Sequence, residues 1–367
     1  MQKLFILGVI MIFCGTAGWW FFLQSPPLQH ATPSTPTATP KVPTATLEQK
    51  SVGQLFMIGH WSNTPTASTT QMINTYGFGG VIIMDTPADP TEIKTWTDEW
   101  NSVSDIPLLI AIDQEGGPVT RLQGANFIQT GQQDIHTQLQ AYEIGKTRGQ
   151  QLAALGITMN FAPVLDTAEN ATSFMYERTF PDKATSPSLA AAMISGMKSE
   201  DIIAVPKHFP GHADTDDDSH LMLPEINIDQ TALDAFTTPF RALLTTNQPQ
   251  AIMTAHVLFP KIDTVPATLS EFFLTTYLRD TLGYKNIIIT DDMSMNAIDQ
   301  QWTTARATQM ALEAGADIVL FAAEPRLAIT ALAEVQKAAD ADIGFTQKLI
   351  QSVERVQTLR YTQGGAY

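Results

Sequence analysis

Eight short apolar runs, spaced along the chain with helix-length segments between them, limit the fold more than any other feature. They lie at residues 55–58, 80–84, 108–112, 157–161, 202–205, 251–254, 287–290 and 317–321. Each is of strand length and most are rich in Ile, Val and Leu, as expected of strands covered on both faces. Segments such as 139–155 and 304–314 read as helices between them. Alternating β and α elements imply a parallel sheet. Eight such units in residues 47–367 suit a (β/α)8 TIM-type barrel of the α/β class better than an open doubly wound sheet. No Gly-x-Gly-x-x-Gly or P-loop pattern follows any run, which removes the usual nucleotide-binding signatures.

A barrel places its chemistry just after its strands, at the C-terminal rim. The sequence meets that demand. Asp113-Gln114-Glu115-Gly116-Gly117 follows the third run, Lys207-His208 the fifth, His256 the sixth, and Asp291-Asp292 closes the seventh. The richest stretch is residues 207–220, which holds three of the seven histidines and four aspartates.

Charge and cysteine content exclude several classes. A net charge of -16 argues against nucleic acid, whose phosphates need clustered Lys and Arg. The single cysteine, Cys14, allows neither a disulfide framework nor a Cys-based zinc site. Asp214, Asp216, Asp218 and Glu225 fall at calcium-loop spacing, but Ser219 stands where such a loop needs glycine and Pro224 precedes the last ligand. His208, His212 and His220 would need a helix to converge on zinc, and Pro210-Gly211 interrupts one. No metal and no other cofactor is therefore expected.

The first 46 residues differ from the rest. Residues 4–23 carry no charge and match the ~20 needed for a membrane-crossing helix, with Lys3 before them and Trp19-Trp20 near the far end. Residues 1–23 are read as a membrane anchor, with a cleaved signal segment as the alternative, since Gly15 and Ala17 are small. Acylation at Cys14 is disfavoured by Phe13 immediately before it. Residues 24–46 form a linker: between positions 25 and 46, twelve of twenty-two residues are Pro or Thr, a composition that favours extended chain. At ~3.1 Å per residue it would hold a domain up to roughly 70 Å from the bilayer. The domain from residue 47 onward is expected outside the cytoplasm, in the cell envelope, as a monomer.

Several motifs then occur together. Lys207-His208-Phe209-Pro210-Gly211-His212 with Asp214-Thr215 and Asp218-Ser219-His220 resembles the signature of glycoside hydrolase family 3, in its single-domain β-N-acetylglucosaminidase (β-hexosaminidase) branch. Asp113-Gln114-Glu115-Gly116-Gly117 with Arg121, Asn160-Phe161-Ala162-Pro163-Val164-Leu165-Asp166, Glu177-Arg178-Thr179-Phe180 and Thr290-Asp291-Asp292-Met293-Ser294-Met295 support it in the same order. The resemblance implies a retaining hydrolase that acts through a covalent glycosyl-enzyme intermediate. Asp291 would be the nucleophile, a carboxylate able both to attack and to leave. His220 would be the general acid/base, with Asp218 orienting it and stabilising its charged form. Asp113, Arg121, Arg178, Lys207 and His208 would hydrogen-bond the terminal N-acetylglucosamine. Glu115 would brace the Gly116-Gly117 turn, and His212 and Asp214 would shape the catalytic loop.

The sequence departs from the family pattern at Ala213, where glycine is usual, and at Pro118, where arginine is common. The chain has no room for the second sandwich domain found in much of the larger family, which favours the acetylglucosaminidase branch. Peptidoglycan fragments and chitooligosaccharides both remain open as substrates. The alternatives are a β-glucosidase-like member of other sugar specificity and a barrel that holds sugar without cutting it.

Overall fold

The structure, a computed structural model, describes residues 47–212, 223–299 and 301–363. The expected anchor and linker (residues 1–46), together with Ala213, Asp214, Asp218 and His220, lie outside the described residues. Among the described residues no helix is long and apolar enough to cross a membrane.

All eight expected strands form, and all pair in parallel. They are β1 (Phe56–His60), β2 (Gly80–Ile83), β3 (Leu109–Ile112), β4 (Met159–Asn160), β5 (Ile203–Ala204), β6 (Ala251–Met253), β7 (Ile287–Asp292) and β8 (Ile318–Phe321). Their order across the sheet is β5-β4-β3-β2-β1-β8-β7-β6. The two edge strands meet through the segments that follow them. Met253 donates its N–H to Pro206, Phe209 to Met253, and Ala255 to Phe209, at 3.1, 2.8 and 2.7 Å. These bonds satisfy edge groups that would otherwise be left unpaired, and they close the sheet into a barrel.

Helices alternate with the strands as expected. The segment predicted over 139–155 forms as Gln138–Ala153, capped by the Thr137 hydroxyl accepting from the Gln140 N–H. The other forms as Thr304–Ala314, where the Thr303 hydroxyl accepts from the Arg306 N–H and Gly315 ends the helix in the left-handed region. Gln138–Ala153 packs closely against Ser186–Lys198. A Cβ at Gly145 would come 2.3 Å from the Met193 carbonyl oxygen, and one at Gly196 would come 2.2 Å from that of Tyr142. Only glycine permits that approach. Beyond β8, Leu327–Ala341 and Ile343–Gln363 complete the outer ring.

Strand pairing also sets the barrel's interior. Ile82 on β2, Phe161 just after β4, Met253 on β6 and Leu320 on β8 all line one cavity at the C-terminal end. Four side chains from alternate strands are the repeating layer of a packed (β/α)8 barrel. Here the uppermost such layer is the floor of the cavity.

Candidate active site

Above that floor lies a cavity of about 460 Å³, bounded by loops that follow the strands. This volume is in the range of small-molecule sites. Six expected site residues line it: Asp113, Arg121, Arg178, Lys207, His208 and Asp291. These come from chain segments up to 178 positions apart, and the barrel brings them together at one rim.

Asp113 and Glu115 flank the start of a tight hairpin in which Gln114–Gly116 pairs with Val119–Thr120. Gly116 has φ +84°, and a Cβ there would lie 2.1 Å from the Thr130 carbonyl oxygen, so the turn admits no side chain. Gln114 anchors the hairpin from within. Its Oε1 accepts from the N–H groups of Arg121 and Leu122 at 3.0 and 2.9 Å. Its own backbone N–H donates to Asn160 Oδ1 at 2.9 Å, and Asn160 Nδ2 returns a bond to the Gln114 carbonyl at 3.0 Å. The Asn160 motif therefore fixes the hairpin that carries both carboxylates.

Around these carboxylates the cations form one connected cluster. Lys207 Nζ lies 2.7 Å from both Asp113 Oδ1 and Glu115 Oε1. Arg178 grips Glu115 with two donors, Nε to Oε2 at 3.0 Å and Nη2 to Oε1 at 2.9 Å. Arg121 Nη2 reaches Asp113 Oδ2 at 3.4 Å. Burial pushes the Asp113 carboxyl up, but Lys207 and Arg121 outweigh it and bring it down to about 2. Glu115 is lowered in the same way, burial being outweighed by Arg178 and Lys207. Burial works against the charge on Lys207, and the two carboxylates reverse that and raise it. Asp113, Glu115 and Lys207 are thus ionised at neutral pH. Glu115 does more than brace a turn: it is the buried counter-charge that holds Arg178 and Lys207 at the cavity.

A second anchor serves the histidines. Asp166 Oδ2 lies 2.6 Å from His208 Nδ1 and accepts the His208 backbone N–H at 3.1 Å, while Oδ1 accepts the His212 N–H at 2.7 Å. Asp166 is buried, yet its carboxyl is lowered, because His208 and the His212 side chain and N–H outweigh the burial. His212 also lines the cavity, edge-on to Phe174. Burial brings its imidazole down to about 4, with His208 acting in the same sense and Asp166 against.

Asp291 lies near the end of β7 with its carboxylate in the cavity. Oδ1 accepts the Asp292 backbone N–H at 2.8 Å. Burial pushes this carboxyl up; His208, His256, that N–H and Lys207 together bring it below its ordinary value. The carboxylate that caps the chain after the strand is that of the next residue, Asp292. Its carboxylate accepts from Ser294 N–H and Oγ and from the N–H groups of Ala322 and Ala323, at 2.7–3.0 Å. His256 is a buried positioning group: Nε2 donates to the Asp292 carbonyl at 3.0 Å, and Nδ1 lies 2.9 Å from Thr268 Oγ1. Asp166 and Asp292 carry no individual sequence signal beyond their motifs. Trp61, directly after β1, lines the cavity and could have been found by the same rule that picked out the other rim residues.

The arrangement can do two things chemically. A fixed set of charged donors and acceptors can hold the hydroxyls of a sugar, and an ionised carboxylate beside them can attack a carbon held there. Asp218 and His220 fall outside the described residues. Among the described residues no group of three or more His, Cys, Asp or Glu side chains stands together as a metal site.

Comparisons with known proteins point to one family. The profile of the glycosyl hydrolase family 3 N terminal domain matches residues 46–359. The chain is similar to the β-hexosaminidase of Alkalilimnicola ehrlichii, 35% identical over 259 residues that cover 67% of this chain and 74% of that protein. It is similar to the β-hexosaminidase of Methylobacillus flagellatus as well, 36% identical over 271 residues, 70% of this chain and 77% of that one. Among solved structures, a glycoside hydrolase family 3 β-N-acetylglucosaminidase from Paenibacillus sp. superposes with a TM-score of 0.79 at 32% identity, covering 88% of this chain and 64% of that chain. The β-N-acetylhexosaminidase from Beutenbergia cavernae gives a TM-score of 0.79 at 29% identity, covering 85% and 98%.

Proposed function

The chain belongs to glycosyl hydrolase family 3, and from that premise we propose that it is a retaining exo-β-N-acetylhexosaminidase. It removes terminal non-reducing N-acetylglucosamine from chitooligosaccharides or peptidoglycan fragments through a covalent glycosyl-enzyme intermediate. The observation that carries this reading is one cavity holding both the ionised Asp291 carboxylate and the Asp113–Glu115–Lys207–Arg178 cluster.

In this mechanism Asp113, Arg121, Arg178, Lys207 and His208 hold the terminal sugar, and Asp291 attacks its anomeric carbon as the glycosidic bond breaks. His220, oriented by Asp218, protonates the departing oxygen. It then takes a proton from the water that releases the sugar from Asp291. Support for the His220 and Asp218 roles comes from the motif that contains them. No metal takes part, so turnover survives EDTA.

The test is hydrolysis of a chromogenic β-N-acetylglucosaminide, beside the corresponding glucoside. Asp291→Asn, which keeps the shape and removes the charge, lowers kcat at least ~1000-fold while the melting temperature holds. Full turnover by that variant would remove Asp291 from the mechanism, and preference for the glucoside would replace the sugar assignment. His220→Ala tests the acid/base role: its loss is largest for poor leaving groups and smallest for activated aryl ones.

The composition of residues 1–46 supports a membrane anchor with an extended tether and a location in the cell envelope outside the cytoplasm. Fractionation of cells producing the full chain, with and without residues 1–46, tests this. Full-length protein in the soluble cytoplasmic fraction would overturn it.

A further inference from the structure

The cavity wall has two unlike halves. The charged cluster comes from the loops after β3, β4 and β5. Passing round β8, β1 and β2, the lining is Leu320, Ala322, Ala323, Trp61, Ile82 and Met84, with no charged side chain among them. Depth divides this apolar half. Leu320, Ala322 and Ile82 are buried, whereas Trp61 and Met84 are half-buried and stand at the mouth.

Trp61 and Met84 are held side by side by their next neighbours. Ser62, following Trp61, donates both its backbone N–H and its hydroxyl to the carboxylate of Asp85, which follows Met84; the hydroxyl bond is 2.8 Å. The Thr64 N–H closes a turn onto the Trp61 carbonyl at 2.8 Å. The indole therefore sits on a short loop bound at both ends, whose backbone has little freedom left to lose on binding.

We propose that Trp61, with Met84 beside it, is the platform for the sugar on the leaving-group side of the scissile bond, and that Asp85 is its positioning residue. The inference rests on the hydrolase reading above and adds to it the group next to the bond that breaks. Two geometric facts lead to it. In a retaining displacement the leaving group departs from the face opposite the attacking carboxylate, so in an exo-acting pocket it projects toward the mouth. The 2-acetamido group, one carbon from the attacked centre, stays beside Asp291, whose neighbours Ser294 and Met295 also line the cavity. A half-exposed indole at the mouth then meets the next sugar, whose C–H face is apolar and complements an aromatic face. Among the described residues this apolar half offers that sugar no cation, so the ring it suits is an uncharged pyranose such as the second N-acetylglucosamine of a chitooligosaccharide.

The experiment compares two substrates on the whole protein: chitobiose, and β-N-acetylglucosaminyl azide, whose leaving group has no ring to lie on the indole. The readout is the ratio of their kcat/KM values. Trp61→Ala lowers that ratio roughly tenfold, mainly through KM for chitobiose, and Trp61→Phe lowers it about threefold. Asp85→Ala lowers the ratio in the same direction and Asp85→Asn, which keeps an acceptor for Ser62, recovers part of it. An unchanged ratio in Trp61→Ala would overturn the proposal. So would an unchanged ratio accompanied by a new preference for N-propionyl over N-acetyl azide, which would put the indole against the acyl group. If the wild-type protein released sugar from neither substrate, the hydrolase reading itself would fail and the platform with it. Loss of the ratio alone leaves that reading intact.

Discussion

Two aspartates stand at opposite ends of the barrel and meet the same kind of partners. Asp113 follows β3 at the rim; Asp317 precedes β8 at the floor of the barrel itself, its N-terminal end. Asp317 receives Arg279 Nη2 at 2.7 Å, Arg355 Nε at 2.8 Å, Ser352 Oγ at 2.9 Å and the Ile288 N–H at 2.9 Å, and its side chain has no exposed surface. Asp113 receives Lys207 at 2.7 Å and Arg121 only at 3.4 Å, and its side chain stays 15% exposed. The floor carboxylate has its hydrogen-bonding capacity filled by the chain. The rim carboxylate is held ionised but keeps capacity toward the cavity. One arrangement joins β7, β8 and two helices; the other waits for a ligand. A buried ion cluster is therefore not functional by virtue of being charged, but by what its members still lack.

That contrast can be broken most directly at the floor. Asp317→Ala leaves two arginines without their counter-charge and lowers stability by about 3–5 kcal/mol, read by urea unfolding. The fraction that stays folded keeps a near wild-type kcat/KM. Asp113→Ala behaves oppositely: kcat/KM falls about 100-fold, the scale of a lost hydrogen bond to a charged partner, with a smaller change in unfolding midpoint because Lys207 retains Glu115. Equal stability losses with activity intact in both variants would erase the distinction.

Acid sharpens it next. His60 and His212 are each brought down to about 4 from an ordinary 6.5, in both cases mainly by burial. Between those values the unfolded chain binds more protons than the folded one. Their contribution is therefore complete above about pH 6.5 and declines as pH falls toward 4. Asp113, lowered from 3.8 to about 2, adds stability that is present above 3.8 and lost only on going down through 2. The urea midpoint should fall between pH 6.5 and 4, before the rim carboxylate is protonated, and His60→Asn should flatten that fall. A midpoint constant down to pH 4 would contradict these assignments. The smallest effect expected is at Thr86, whose hydroxyl donates to the Arg121 carbonyl at 3.1 Å. Thr86→Val costs about 1 kcal/mol or less, seen as a several-fold rise in KM with kcat little changed.

The fold was largely legible because its signal is local. A strand buried on both faces must be apolar along its length, so residues 287–290 or 251–254 announce themselves without knowledge of their neighbours. The rim rule then located Asp113, Lys207, His208 and Asp291, and the family motifs added Arg121 and Arg178. Glu115 was misjudged for a physical reason. Next to two glycines it reads as part of a turn, and only folding brings Arg178, 63 positions away, within 2.9 Å of it. The roles of His256 and Asp292 were equally opaque, since each depends on backbone groups brought in from a distant segment.

Sequence alone determined the alternation of β and α, the acidic character, the single cysteine and the identity of the groups able to do chemistry, because periodicity, charge and functional groups belong to residues one at a time. Tertiary structure decided which carboxylate is closed and which is open, how Asp166 is shared between two histidines, and that the cavity has a charged half and an apolar half. Those properties depend on distances between segments far apart in the chain, and such distances exist only once the barrel has closed.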